Sequence, residues 1–402
     1  MMFPNVEIPY GAYWSTPFVR WQGSFQHLNA FQFAAWVCRR ELDKRSINRG
    51  SIQHLLFGST IIQHHSFYGS PWVGGLAGLS ASTGPVIHQA CATGTRLLAS
   101  AVQEIQSGLT EVSLMIGADR TSNGPHIYYP QPGAPGGTGA SENLVVDSFS
   151  CDPLGGHAML DTAENVAAKH QISTQEQHDV VLRRLEQYAE ALADGNAFQK
   201  RFMTLPLEVP TPDFRKTERT LTGDEGIFQS TAEGLAKLKP VKSGGTVTFG
   251  GQTHPSDGNA GMLVTTENLA REYSSDPSIR IHVLGFGQSR VALGYMPEAT
   301  VPAAAQALKQ AGLVANELAA VKTHNPFAIN DIVLSKALDF PLERMNNYGC
   351  SLIWGHPHAA TAVRSIIELI EELASQGGGT GLFAGCAAGD SSMAVVLKVT
   401  AR

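Results

Sequence analysis

The chain has 402 residues, length enough for two or three domains or one large duplicated unit, and its 43% hydrophobic and 16% charged content is that of a globular protein with a large core rather than a disordered one. A net charge of −6 without basic blocks argues against nucleic acid or an anionic membrane as the main partner, so any anionic ligand needs a local cationic pocket. The five cysteines, Cys38, Cys91, Cys151, Cys350 and Cys386, lack C-x-x-C or metal-ligand spacing, which speaks against a zinc site or disulfide framework and fits a reducing compartment.

No charged-then-apolar signal opens the chain and no apolar run approaches a membrane span, so a soluble cytoplasmic protein is expected. Ile8, Tyr10, Tyr13 and Trp14 ahead of Thr16-Pro17-Phe18 predict a strand followed by a loop. Ala30 to Leu42 reads as a helix, with Phe31, Ala34, Ala35, Cys38 and Leu42 on one face. Ser51 to Ile61 predicts a strand, the Gly- and Pro-rich Gly69–Gly84 passage a connection, and Val86-Ile87 a short strand. Cys91 then opens a stretch whose Leu97, Leu98, Ala101, Val102 and Ile105 recur at helical spacing. At a helix N-terminus, unpaired N–H groups and the helix dipole favour thiolate over thiol, and the same N–H groups can receive the oxyanion of an attacked thioester. Taken alone, the stretch fits a small core cysteine equally well. Glu111 to Gly117 is a buried strand, and this alternation points to an α/β sheet with helices on its faces.

Residues 121–245 break the rhythm. Gly124 to Gly139 is too rich in Pro and Gly for regular structure, and two amphipathic helices follow, at about Thr162–Lys169 and Thr174–Ala193. This block reads as an inserted cap over one face, where substrate-contacting loops gather. Strands return at Thr246–Thr248, Ala260–Thr265 and Ile279–Phe286. A helix at Val301–Ala311, a strand at Ala319–Thr323, a loop at Asn346–His358, a helix at Ala359–Ser375 and closing strands at Gly381–Ala384 and Met393–Val399 complete the chain. The division is therefore 1–120 for a first half, 121–245 for the insertion, 246–275 for strands returning to the first half, and 276–402 for a second half. In both halves a reactive loop feeds a small-residue helix, at Cys91 and at His356, although identity between the halves is too weak to establish duplication from the letters.

Loops at the ends of predicted strands carry groups suited to acyl transfer: Cys91, His324 in His-Asn-Pro-Phe, His356 in Gly-His-Pro, and Cys386 in Gly-Cys-Ala-Ala-Gly. One cysteine and two imidazoles can make a nucleophile, its base and an oxyanion donor. The second thiol is the informative excess, since it can deprotonate a carbon acid or thiol that approaches an acyl-enzyme.

These residues fall into a longer series. In order, Ser15-Thr16-Pro17-Phe18, Cys91, Gly117-Ala118-Asp119, Thr162-Ala163-Glu164-Asn165-Val166-Ala167, Gly245-Thr246-Val247-Thr248 with Ser256-Asp257-Gly258, His324-Asn325-Pro326-Phe327, Gly355-His356-Pro357 and Cys386 resemble the motifs of the thiolase superfamily over nearly the full length. The resemblance implies an α/β fold of duplicated halves in five layers, α-β-α-β-α, with an inserted loop domain. It implies an acyltransferase that cleaves a 3-ketoacyl-CoA or runs the reverse Claisen condensation through acyl-Cys91, with coenzyme A as substrate, no permanent cofactor, no metal, and a homodimeric or homotetrameric assembly. It gives His356 the Cys91 proton, His324 an oxyanion position, Cys386 acid/base work in the second half-reaction, and the N–H groups of Cys91 and Ala388 the other oxyanion hole. Thr253, Met159, Phe327, Trp354 and Asn123 are expected beside the substrate.

The departures are informative. Ala388 replaces a glycine, which works only at negative φ. Gly251-Gln252-Thr253 replaces Asn-Ala-Ser, Cys350 replaces a glycine, and Trp354 in a usually aliphatic place is expected to reshape the acyl pocket. Two further readings stay open: a decarboxylating condensing enzyme of the ketosynthase kind, and a thiolase-like subunit that works only beside a partner protein. His88 reads as structural, Cys38, Cys151 and Cys350 as packing, and His64, His65, His126, His157, His254 and His358 have no assigned role.

Overall fold

A computed structural model describes residues 3–401. Alternation along the strands explains the layering. On Leu55, Phe57, Leu114, Ile116 and Leu263, side chains point to an outer face and pack with the Ala30–Lys44 and Gly69–Ala77 helices. Their neighbours Leu56, Met115, Met262 and Val264 point inward, toward the Thr93–Gln106 helix. The second half repeats the scheme. Val321, Leu382, Ala384, Ala394 and Val396 face the Thr300–Ala311 helix, while Phe383, Val395 and Leu397 face the His358–Ser375 helix. The two inner helices pack on each other between the half-sheets, and the result is five layers.

The topology carries the duplication that the letters hide. In the first half His54–Gly58 runs parallel to Val112–Arg120, which runs antiparallel to Ser256–Thr266. In the second, Ala320–His324 runs parallel to Gly378–Ala387, which runs antiparallel to Ser391–Thr400. A two-residue strand, Val6–Glu7, pairs with Ser256–Thr266 on one side and Arg280–Arg290 on the other, so the half-sheets join into one eleven-stranded sheet. Gly94 and Gly117 let the two halves touch at the centre: a Cβ on either would strike the backbone of the His358–Ser375 helix near Ala359.

Several elements differ from the pattern reading. Gly69–Ala77 is helical despite its glycines, because Val73 and Ala77 are fully buried and packing overrides propensity. Within Gly124–Gly139 the residues His126–Tyr129 form a strand paired with Ala140–Asn143. Thr246–Thr248 is not a strand, because the N–H groups of Thr246 and Val247 donate to the Glu164 carboxylate instead of a ladder. The Asn346–His358 loop contains a short helix, Ser351–Trp354, and an unpredicted helix spans Ala328–Leu338. The cap helix from Thr174 starts at a Ser173/Glu176 capping box and loses helical geometry at Ala193–Asn196, where the pattern had ended it.

The cap is held to the core by buried charge. Asp224 accepts two hydrogen bonds from Arg364, at 2.6 and 2.8 Å, and Arg364 also bonds Glu368 at 3.0 Å, with all three side chains buried.

Candidate active site

Cys91 lies two residues before its helix, on a turn that Thr93 locks. The Thr93 hydroxyl donates to the Ala90 carbonyl at 2.7 Å and accepts from the Gln89 N–H at 2.8 Å, while Ala90 is held at a φ of 44°, unusual for a residue with a Cβ. The opposite strand end brings a second turn, whose positive φ values fall on Gly389 and Asp390. Ala388 has no positive φ, so its N–H is free to point back at the Cys91 sulfur, to which it hydrogen-bonds.

The sulfur of Cys91 and one ring nitrogen each of His324 and His356 lie within 4.8 Å of one another, and the two rings stack at 3.9 Å. These three groups are also the one His/Cys/Asp/Glu set among the described residues close enough to hold a metal ion between them. Nδ1 of His356 sits 2.7 Å from the Thr361 hydroxyl, and Nδ1 of His324 sits 2.9 Å from that of Ser351. Both Nε2 atoms are buried without a partner. His356 is aimed by Gly355, whose φ of 93° and lack of a Cβ fit it against Ser256. His324 is set by its neighbour Asn325, which bonds Asp331 at 2.8 Å, and Asp331 in turn is gripped by Arg184 at 2.9 Å. Cys386 is buried at the end of its strand and receives the amide of Asn330 at 3.3 Å, a partner the sequence reading missed.

Electrostatics correct one expectation. Burial pushes the Cys91 thiol up to about 12, and the N–H groups of Ala388 and Cys91 offset this only in part. The helix end does not make a resting thiolate. Burial also pushes the Cys386 thiol up, reinforced by the neighbouring Cys91. Burial lowers His324 to about 3 and His356 well below the ordinary imidazole value, with neighbouring histidines adding to both. The resting site is therefore neutral thiols beside neutral imidazoles, and proton transfer has to accompany attack.

A cavity of about 1060 Å³ opens over these groups, lined by Cys91, His356, Cys386 and Ala388, by Thr253, Met159, Met296 and Phe327, and by the Leu144–Pro153 stretch of the cap. His324 lies beneath its wall, fully buried behind His356. Thr253 lines it, but its hydroxyl donates to the Ser351 carbonyl. Two expected lining residues lie elsewhere. Trp354 is fully buried edge-on to Phe18, with the Arg364 guanidinium 4.3 Å above its ring, so it shapes the core and not the cavity. Asn123 is exposed beside Gln22. Conversely, His88, His358 and Cys151 line the cavity, and Cys151 is exposed instead of packed. No Lys or Arg is in the lining, whose charged members are Glu142, Asp147 and Asp152, so the cationic pocket expected for an anionic ligand is not part of it.

Comparisons with known proteins agree with this geometry. Residues 12–268 match the family model described as thiolase, N-terminal domain, and residues 279–399 match thiolase, C-terminal domain. The chain is 28% identical over 390 residues to a probable acetyl-CoA acyltransferase of Staphylococcus epidermidis, covering 95% of this chain and 96% of that one. It is 28% identical over 394 residues to human mitochondrial 3-ketoacyl-CoA thiolase, covering 96% of each. The crystal structure of that human enzyme in complex with CoA superposes with a TM-score of 0.88 at 25% identity over 99% of both chains. With both family models matched in order along one two-halved fold, the chain belongs to the thiolase family.

Proposed function

We propose that the chain is a coenzyme A-dependent acyltransferase that cleaves a 3-ketoacyl-CoA thiolytically, or runs the reverse condensation, through an acyl group on Cys91. The observation that carries the reading is the convergence of the Cys91 sulfur with the ring nitrogens of His324 and His356, beneath a cavity that also holds Cys386. Thr361 accepting from His356 Nδ1–H leaves Nε2 as a base. It takes the Cys91 proton as the sulfur attacks the 3-keto carbon.

The bond between C2 and C3 then breaks, and its electron pair stays on C2 as an enolate that Cys386 S–H protonates to acetyl-CoA. Incoming coenzyme A gives its thiol proton to the Cys386 thiolate and attacks acyl-Cys91. The shortened acyl-CoA leaves, and His356 returns the proton to Cys91. Oxygen charge is held at two places. One is formed by the N–H groups of Cys91 and Ala388, the other by Nε2–H of protonated His356 and of His324. The Ser351 hydroxyl donates to Asn325 Oδ1 at 3.0 Å and lies 2.9 Å from His324 Nδ1, so a donor role for His324 Nε2–H requires that hydroxyl hydrogen to turn to Nδ1.

Cys386 separates this from a ketosynthase, which needs one cysteine. Mass spectrometry after incubation with acetoacetyl-CoA is expected to find an acetyl adduct on Cys91 that is absent in Cys91→Ala. Condensation that proceeds only with a malonyl donor, and is left intact in Cys386→Ser, would overturn it. Assembly as a homodimer or homotetramer and a cytoplasmic location belong to the same reading, and an accessory subunit is the open alternative. Sedimentation tests the first, and adduct formation by the purified chain alone tests the last.

A further inference from the structure

His358 opens the central helix two residues after His356. The side chain is more than nine-tenths buried and lines the cavity, its ring 4.8 Å from that of His356 and 5.4 Å from that of Phe149. Its protonation pattern is fixed from behind. Asp119 accepts from Ser59 Oγ at 2.9 Å, from the N–H groups of Thr60, Ile61 and Ala359 at 2.8, 3.0 and 2.9 Å, and from Thr60 Oγ1 at 3.0 Å. Five donors point at this carboxylate, and Thr60 spends its only hydroxyl hydrogen on it. Toward His358 Nδ1, 2.8 Å away, Thr60 Oγ1 can then only accept. The Nδ1–H of His358 is therefore the donor, and Nε2 is left as a lone pair, buried and without a partner, on a ring that lines the cavity. Burial keeps this ring neutral against the pull of Asp119, with His88 on the same side as burial.

An orphan acceptor in an apolar wall asks for a donor from the ligand. Resting on the acyl-Cys91 reading above, we propose that His358 determines specificity by accepting a hydrogen bond from a hydroxyl group on the acyl chain, so that the preferred thioesters are hydroxylated within a few bonds of the carbonyl. Val145, Phe149, Met159 and Phe327 also line this cavity and have no polar side-chain group to meet such a hydroxyl.

The test compares the rates at which 3-hydroxybutyryl-CoA, 4-hydroxybutyryl-CoA and butyryl-CoA acylate Cys91, read by intact mass, in the natural chain and in His358→Leu and His358→Asn. In the natural chain at least one hydroxylated thioester is expected to react about tenfold or more faster than butyryl-CoA. His358→Leu should lose that preference, while His358→Asn, which retains an acceptor oxygen, should keep part of it. If His358→Leu fails to fold by circular dichroism, the natural chain and His358→Asn decide. Adducts that form without preference, or a preference unchanged in the variants, would overturn this inference and leave the acyltransferase reading standing. No adduct from these thioesters or from acetyl-CoA would overturn both.

Discussion

Two hairpins of the fold are equivalents with opposite uses. Val112–Arg120 pairs antiparallel with Ser256–Thr266, and Gly378–Ala387 pairs in the same way with Ser391–Thr400. Residues 121–255 join the first pair, whereas residues 388–390 join the second. The short turn leaves no freedom, so it delivers Cys386 and the Ala388 N–H to the site as parts of the sheet itself. The long one has become the cap, which brings Met159 and the Leu144–Pro153 stretch over the cavity. One scaffold position thus holds a tight turn beside the candidate site in one half and a long connection over the cavity in the other, and a change in either should be readable in different constants.

Removing the proposed nucleophile has the largest expected effect: Cys91→Ala should lower turnover by on the order of 10⁴-fold or more in a thiolysis assay. Next, on the tight-turn side, Cys386→Ser should slow α-proton exchange of acetyl-CoA by on the order of 10²- to 10⁴-fold, followed by NMR in D₂O, while Cys91 still acylates. The joint between cap and core is sharpened by Arg364→Leu, which removes the cation between Asp224 and Glu368 and leaves Asp224 only neutral donors and Glu368 only Lys322. A loss of about 3–5 kcal/mol is expected in urea unfolding. Arg96 on the other central helix bonds only Gln89 and Gln288 near the surface, and its replacement by alanine should cost under about 1 kcal/mol.

Acid should act on the buried imidazoles. Their folded values lie below the unfolded one, so the unfolded chain binds more protons in between. Stability is then full above about pH 6.5 and falls by up to about 1.4 kcal/mol per pH unit per histidine as pH drops toward 3. Melting temperatures at pH 7.5 and 5 check this. The smallest effect belongs to the cap: Met159→Ala should change KM for different acyl chains by less than about tenfold with kcat nearly unchanged.

The candidate residues Cys91, His324, His356 and Cys386, which the fold brings together, were legible in the sequence because each is a chemically distinctive residue at the end of a readable strand. What supports them was not, because it depends on partners far away in the chain. Asp119 meets Ala359 and Thr60, and Asp224 meets Arg364, with no local pattern to announce either pair. His358 was passed over for the same reason, since its tautomer is set by Asp119. Trp354 beside Gly355-His356 reads as a pocket wall until Arg364 and Phe18 are seen to draw it inward. The Cys91 thiolate was expected from the helix end, and the error was one of magnitude: desolvation outweighs two N–H groups.

The Val6–Glu7 strand also constrains the order of assembly. Its two neighbours in the sheet, Ser256–Thr266 and Arg280–Arg290, leave the ribosome long after it does, so this strand waits with unpaired backbone while the residues between them are made. Until that seam closes, the half that carries Cys91 and the half that carries His356 and Cys386 lack this strand to join them, and a nascent chain released before about residue 290 exposes a sheet edge to its neighbours.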